Sequence, residues 1–72
     1  MADKFQLEIA TPERLLIREQ VSEAQVPAAN GYLGVLPGHA PLLAALGTGE
    51  LTYAADGRRS SLSVDGGWVE VL

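Results

Sequence analysis

Glu50-Leu51-Thr52-Tyr53-Ala54-Ala55-Asp56-Gly57-Arg58-Arg59-Ser60-Ser61-Leu62-Ser63-Val64 reads as a β-hairpin, and it sets the fold class of the whole chain. Asp56-Gly57 separates two runs, residues 50–55 and 58–64. Aspartate and glycine tolerate the positive φ that a tight hairpin turn requires at both central positions. In the second run Leu62 and Val64 alternate with Ser61 and Ser63, which marks a strand with one apolar and one solvated face. An isolated hairpin is at best marginally stable in water, so its apolar face needs a second layer.

The sequence on either side supplies more of the same. Downstream, Asp65-Gly66-Gly67 turns again and Trp68-Val69-Glu70-Val71-Leu72 is a further strand with no turn signal behind it. A last strand without a neighbour leaves a hydrogen-bonding edge open, so the chain reads as part of a longer polypeptide. Upstream, Gly47-Thr48-Gly49 punctuates, and Tyr32, Leu33, Val35 and Leu36 make a short apolar strand after the turn dipeptide Asn30-Gly31. Pro37-Gly38 suits a type II turn, and Pro41 keeps Ala40 out of the helical region. Near the start, Phe5, Leu7 and Ile9 alternate with Lys4, Gln6 and Glu8 until Thr11-Pro12 ends the strand.

Two stretches stay open on pattern alone. Residues 13–26 admit a helix capped at Thr11-Pro12-Glu13, or two short strands meeting near Glu19-Gln20. The apolar residues Leu15, Leu16, Ile17, Val21 and Val26 do not share one helical face. Residues 40–46 are apolar, and their Ala and Leu also favour helix. Many short strands with frequent turns nevertheless predict an all-β sandwich or barrel in one domain. Phe5, Leu7, Ile9, Val35, Leu62, Val64 and Val69 are expected mainly inside.

Bulk properties narrow the function. Seventy-two residues make one small domain, which buries only about 60% of the surface its unfolded chain exposes. No cysteine is present, so disulfides, thiolate metal sites and a cysteine nucleophile are excluded. The net charge is −4 and the five basic residues, Lys4, Arg14, Arg18, Arg58 and Arg59, are dispersed. Nucleic acid is disfavoured, because counterion release needs a basic stripe. No apolar run approaches the ~20 residues that span a bilayer, and Met1-Ala2-Asp3-Lys4 does not open like a signal peptide.

Chemistry is sparse. His39 is the only histidine, and no spacing motif gathers carboxylates around it for a metal. Ser60, Ser61 and Ser63 combine with His39 and Asp65 into a triad on paper only, since no nucleophile elbow accompanies them. The glycines form no phosphate loop, and no lysine follows Lys4. No cofactor, metal or small-molecule ligand is expected, and an enzyme is disfavoured. Trp68 beside Gly66-Gly67 reads as core, the alternative being an exposed stacking platform. The segment Gly34-Val35-Leu36-Pro37-Gly38-His39-Ala40-Pro41-Leu42-Leu43 locks a loop between two prolines. It is either a rigid connection or a preorganised docking projection, which loses little entropy on binding.

That same segment, extended to Gly31-Tyr32-Leu33-Gly34-Val35-Leu36-Pro37-Gly38-His39-Ala40-Pro41-Leu42-Leu43, resembles the G-E-L-G-I-L-P-G-H-A-P-L-L signature of the epsilon subunits of F-type ATP synthases, whose mitochondrial counterpart is called delta. Residues 5–14 look like the family's opening strand and turn, and residues 64–71 are similar to its S-G-G-F-[LV]-E-V strand. The resemblance covers essentially all of residues 1–72. It implies a flattened β-sandwich of eight to ten short strands, with strands over residues 13–26 and 40–46. The family's closing strands and its two-helix hairpin, which carries inhibition of hydrolysis and in some members ATP binding, lie beyond these residues.

In function the resemblance implies a non-catalytic rotor subunit of the central stalk. Its partners are the gamma subunit and the c-ring, and it helps couple proton-driven rotation to ATP synthesis. Its place is the cytoplasmic face of a bacterial membrane, with the membrane met only through the complex. His39, Ala40 and Ala44 resemble gamma-facing positions, and Asn30, Gly31 and Tyr32 resemble the loop facing the c-ring. Pro37, Gly38 and Pro41 shape the loop between. Tyr32 stands where an acidic residue is usual. The competing class is a free-standing sandwich that binds a sugar or peptide on Trp68 and Tyr53.

Overall fold

A computed structural model describes residues 3–38 and 40–72. The described residues form eight strands: β1 (Phe5–Ala10), β2 (Leu15–Val21), β3 (Glu23–Ala28), β4 (Gly31–Val35), β5 (Leu42–Ala45), β6 (Thr48–Ala55), β7 (Arg58–Asp65) and β8 (Trp68–Val71). They make two four-stranded antiparallel sheets, ordered β2-β1-β8-β5 and β4-β3-β6-β7. The expected all-β sandwich is therefore what this sequence forms.

The hairpin around Asp56-Gly57 has the geometry its residues demand. Asp56 and Gly57 have φ of 53° and 77°, and the ladder runs unbroken from Ala55↔Arg58 to Thr48↔Asp65. Lys4 Nζ lies 2.6 Å from Asp56 Oδ1, and this ammonium holds the Asp56 carboxyl below its ordinary pKa. At the β3–β4 hairpin the turn falls on Ala29 and Asn30 rather than on Asn30-Gly31. Gly31 alone takes the positive φ, +131°, as the chain re-enters the ladder opposite Ala28.

The open stretches resolve into strands. Over residues 13–26 the chain forms β2 and β3, and they meet at Ser22, two residues beyond the expected Glu19-Gln20 junction. Ser22 is the corner where the chain leaves one sheet for the other. Its N–H and its Oγ both donate to the Ala54 carbonyl, at 2.7 and 3.1 Å, so the bend is tied to β6. Within residues 40–46 only Leu42–Ala45 is strand, and Leu46 bridges to Ala28 in the other sheet.

Between the sheets lie Phe5, Leu7, Ile9, Val21, Ala24, Val26, Val35, Leu46, Leu51, Val64, Val69 and Val71. Among the described residues no polar or charged side chain is buried. Six of the seven residues expected inside are there, and Leu62 is half-buried against their rim. Trp68 departs from its expected place. It is 40% exposed, because Val69 and Val71 take the inward positions of β8 and leave Trp68 on the outer face.

Candidate docking site

The two segments singled out for docking sit at opposite ends of the same strand. Gly31 starts β4 and Val35 ends it, four steps of about 3.4 Å apart. The proline loop follows β4. There Pro37-Gly38 is a turn with Gly38 at φ +89°, as a type II turn requires of its third residue. Gly38, Ala40 and Pro41 are exposed, while Pro37 is half-buried. His39 lies outside the described residues. Ala44 pairs with Val69, so its side chain faces the core, and Leu43 and Ala45 are the β5 residues that face outward. Any contact at Ala44 must run through its backbone or these neighbours.

At the other end Asn30, Gly31 and Tyr32 are all exposed. Tyr32 does more than project. Its Oη accepts the Glu50 N–H at 3.2 Å, reaching β6 across β3. The need for that bond follows from the ladder. Pairing of β3 with β6 stops at Gln25↔Thr52, so β6 residues before Thr52 have no β3 partner. The Tyr32 phenol fills the gap, and Gly49 leaves room for it, since a Cβ there would stand 2.8 Å from Oη and 3.0 Å from Pro27 Cβ. Where the family resemblance leads one to expect a charge, this chain has a bolt. Tyr32→Phe should therefore speed exchange of the Glu50 amide about five-fold, the equivalent of roughly 1 kcal/mol for one neutral hydrogen bond. Unchanged exchange would mean that water replaces the phenol without cost.

The other candidates separate. Trp68 is on the outer face of β8 in one sheet, whereas Tyr53 of β6 in the other packs against the core, so they form no common platform. Ser61 and Ser63 face solvent on β7, and Asp65 Oδ1 is held by Thr48 Oγ1 at 2.6 Å. Among the described residues no three His, Cys, Asp or Glu side chains converge as a metal site. None of the described helical or strand segments includes a helix long and apolar enough to cross a membrane.

Comparison with known proteins is consistent along the length of the chain. Residues 4–72 match the family model described as ATP synthase, Delta/Epsilon chain, beta-sandwich domain. A protein from Solibacter usitatus named ATP synthase epsilon chain is 65% identical over 72 residues, covering 100% of this chain and 54% of its own length. Proteins of the same name from Koribacter versatilis and Myxococcus xanthus are 46% and 47% identical, covering 100% and 94% of this chain and 51% and 50% of their own lengths. The chain thus spans about half the length of the curated relatives it matches.

Proposed function

Because the chain belongs to the family of ATP synthase delta/epsilon chain β-sandwich domains, we propose that it is the docking half of an epsilon subunit, joining the gamma subunit to the c-ring in the rotor of a proton-translocating ATP synthase. It catalyses no reaction itself. It transmits rotation by holding two partners at once, at the cytoplasmic face of a bacterial membrane that it meets only through the complex. The observation that carries this reading is the match over residues 4–72, which runs through both docking segments and the strands that hold them apart.

The geometry supports a two-sided adaptor. The Asn30-Gly31-Tyr32 end and the proline loop are separated by the length of β4, so one partner at each end leaves room for the other. Tyr32 bolted to β6 and Pro37 and Pro41 flanking the loop restrict both segments before a partner arrives, which lowers the entropic cost of docking. The test is calorimetry of the chain with purified gamma subunit. We expect a one-to-one complex that full-length epsilon displaces. If full-length epsilon binds gamma and this chain does not, the reading is wrong.

A further inference from the structure

Asn30 is the chain's one asparagine, and it stands directly before Gly31 at the tip of the β3–β4 hairpin. An asparagine side chain is open to attack by the backbone nitrogen of the next residue, because the ring that forms has five members. Glycine at that next position favours the attack, since it has no Cβ to obstruct the approach. The fold then decides whether the side chain and the nitrogen are free to meet. Asn30 and Gly31 are both exposed, and among the described residues no side-chain hydrogen bond involves Asn30. The space beside Gly31, where a Cβ would stand, is empty to 4 Å. Gly31 also belongs to the last rung of its ladder, Ala28↔Gly31, and terminal rungs open at the least cost.

Two aspartates also precede glycines, and both are restrained. Ring closure on an aspartate expels water and needs the protonated carboxyl. At Asp56-Gly57 the hydrogen bond and charge of Lys4, with Nζ 2.6 Å from Oδ1, keep the Asp56 carboxyl ionised and its pKa below the ordinary value. At Asp65-Gly66 the carboxylate is tied by Thr48 Oγ1 at 2.6 Å. There the nitrogen that would attack is tied too, since the Gly66 N–H donates to the Gly47 carbonyl at 3.0 Å. Asn30 has no such side-chain restraint. Its carboxamide is uncharged, and its leaving group is ammonia rather than water.

We propose that Asn30-Gly31 is a self-modifying site that deamidates in the folded chain, with water as its only co-reactant. Gly31 N bonds to Asn30 Cγ, the Cγ–Nδ2 bond breaks, and ammonia leaves with the Gly31 amide proton. The product is a cyclic imide spanning both residues. Water then opens either of its carbonyl–nitrogen bonds. Cleavage at Cγ leaves an aspartyl residue on a normal backbone, and cleavage at the main-chain carbonyl leaves an isoaspartyl linkage. In both cases an amide and a water become a carboxylate and ammonium, which adds a negative charge to the −4 already present. The isoaspartyl form also routes the main chain through Cβ and Cγ, which lengthens the turn. The extra atom falls just ahead of the rungs Ala28↔Gly31 and Pro27↔Tyr32, which hold the Tyr32 phenol against the Glu50 N–H. Lengthening the turn there draws the phenol off its partner. The site lies in the loop proposed to face the c-ring, yet its chemistry involves no partner and does not rest on that reading.

The experiment incubates the unaltered chain, Asn30→Gln and Gly31→Ala in warm neutral buffer, each folded and in urea. It follows released ammonia, peptide masses, and methyl transfer from S-adenosylmethionine by an isoaspartyl methyltransferase. The folded unaltered chain is expected to release stoichiometric ammonia, with the mass change and the methyl-accepting group both in the peptide that holds residue 30. Asn30→Gln should release none over the same period, because its ring would need six members. Gly31→Ala should slow the reaction about ten-fold or more, in urea as in buffer, so that a disturbed turn is not mistaken for the effect of the Cβ. In the isoaspartyl form the Glu50 amide should exchange about five-fold faster, the loss of one neutral hydrogen bond. Conversion in urea but not in the folded chain would mean that the hairpin protects Asn30, and would overturn the proposal. Ammonia release from Asn30→Gln at the parent's rate, or methyl acceptance at Asp56 or Asp65 alone, would overturn it as well.

Discussion

Replacing Gly67 by alanine is expected to remove about 3 kcal/mol of stability, which for a domain of this size is a large share of the total. Two independent costs meet at this residue. Its φ is +98°, where an L side chain costs roughly 1–2 kcal/mol. A Cβ there would also run into the carbonyl oxygen of Ala10, with Thr11 Cγ2 at 3.4 Å as a further neighbour. The obstacle is backbone, and that backbone is fixed: Ala10 pairs with Trp68, and the Gly67 carbonyl accepts the Leu46 N–H at 2.9 Å. No flexible side chain can swing aside. Gly66 is the internal control, with φ +83° and open space where a Cβ would go. Urea melts should show Gly66→Ala losing only the backbone term of about 1 kcal/mol, and Gly67→Ala losing some 2 kcal/mol more. Equal midpoints would mean that the close approach to Ala10 carries no weight.

Much of this fold was legible because side-chain alternation is written directly in the chain. Phe5, Leu7 and Ile9 face in, as their spacing says, and Asp56-Gly57 adopts the turn its residues favour. What pattern left open has a physical cause. Along β2 the odd positions Ile17, Glu19 and Val21 pair with the inward residues Ile9, Leu7 and Phe5, while along β3 the even positions Ala24 and Val26 face in. The parity flips at Ser22, where the chain changes sheets. A flip with no glycine or proline beside it looks like the end of periodicity rather than a corner. The register shift between Ile9 and Ala10 obscures the start of β2 further, and Glu19 stays exposed on the inner side of an edge strand. Charge in that place discourages edge pairing, and it also disguises the strand.

The candidate docking residues could be singled out only through the likeness to a family, since loops that bind and loops that connect have the same composition. Two features needed coordinates. Ala44 faces the core because β5 registers it against Val69, and a sequence gives no register between distant strands. Glu8 and Glu70 are 62 positions apart and become neighbours only when β8 closes against β1. Trp68 carried one signal that could have been weighed: in Trp68-Val69-Glu70-Val71 it shares parity with Glu70, the polar residue, and not with the valines.

Leu51 is the residue whose loss should cost the core most, and the sequence alone named its partner instead. Leu51 and Leu62 are directly paired across the β6–β7 hairpin, yet Leu51 is fully buried and Leu62 half-buried. The difference is their place in the sheet. β6 is an inner strand of its sheet and Leu51 lies one residue from Thr52, where pairing with β3 ends, within the cluster between the sheets, whereas β7 is an edge. Leu51→Ala should therefore lose the transfer energy of the deleted groups and leave a cavity in the fully buried cluster between the sheets, about 3–4 kcal/mol in all. Leu62→Ala removes the same atoms from a site already open to water, where the neighbours and solvent close over the gap, and should cost about half as much. Urea denaturation of both variants, with binding to gamma measured on whatever remains folded, separates the cases. If the two substitutions shift the midpoint equally, the edge strand is as well covered as the central one, and the core must extend further over β7 than these contacts place it.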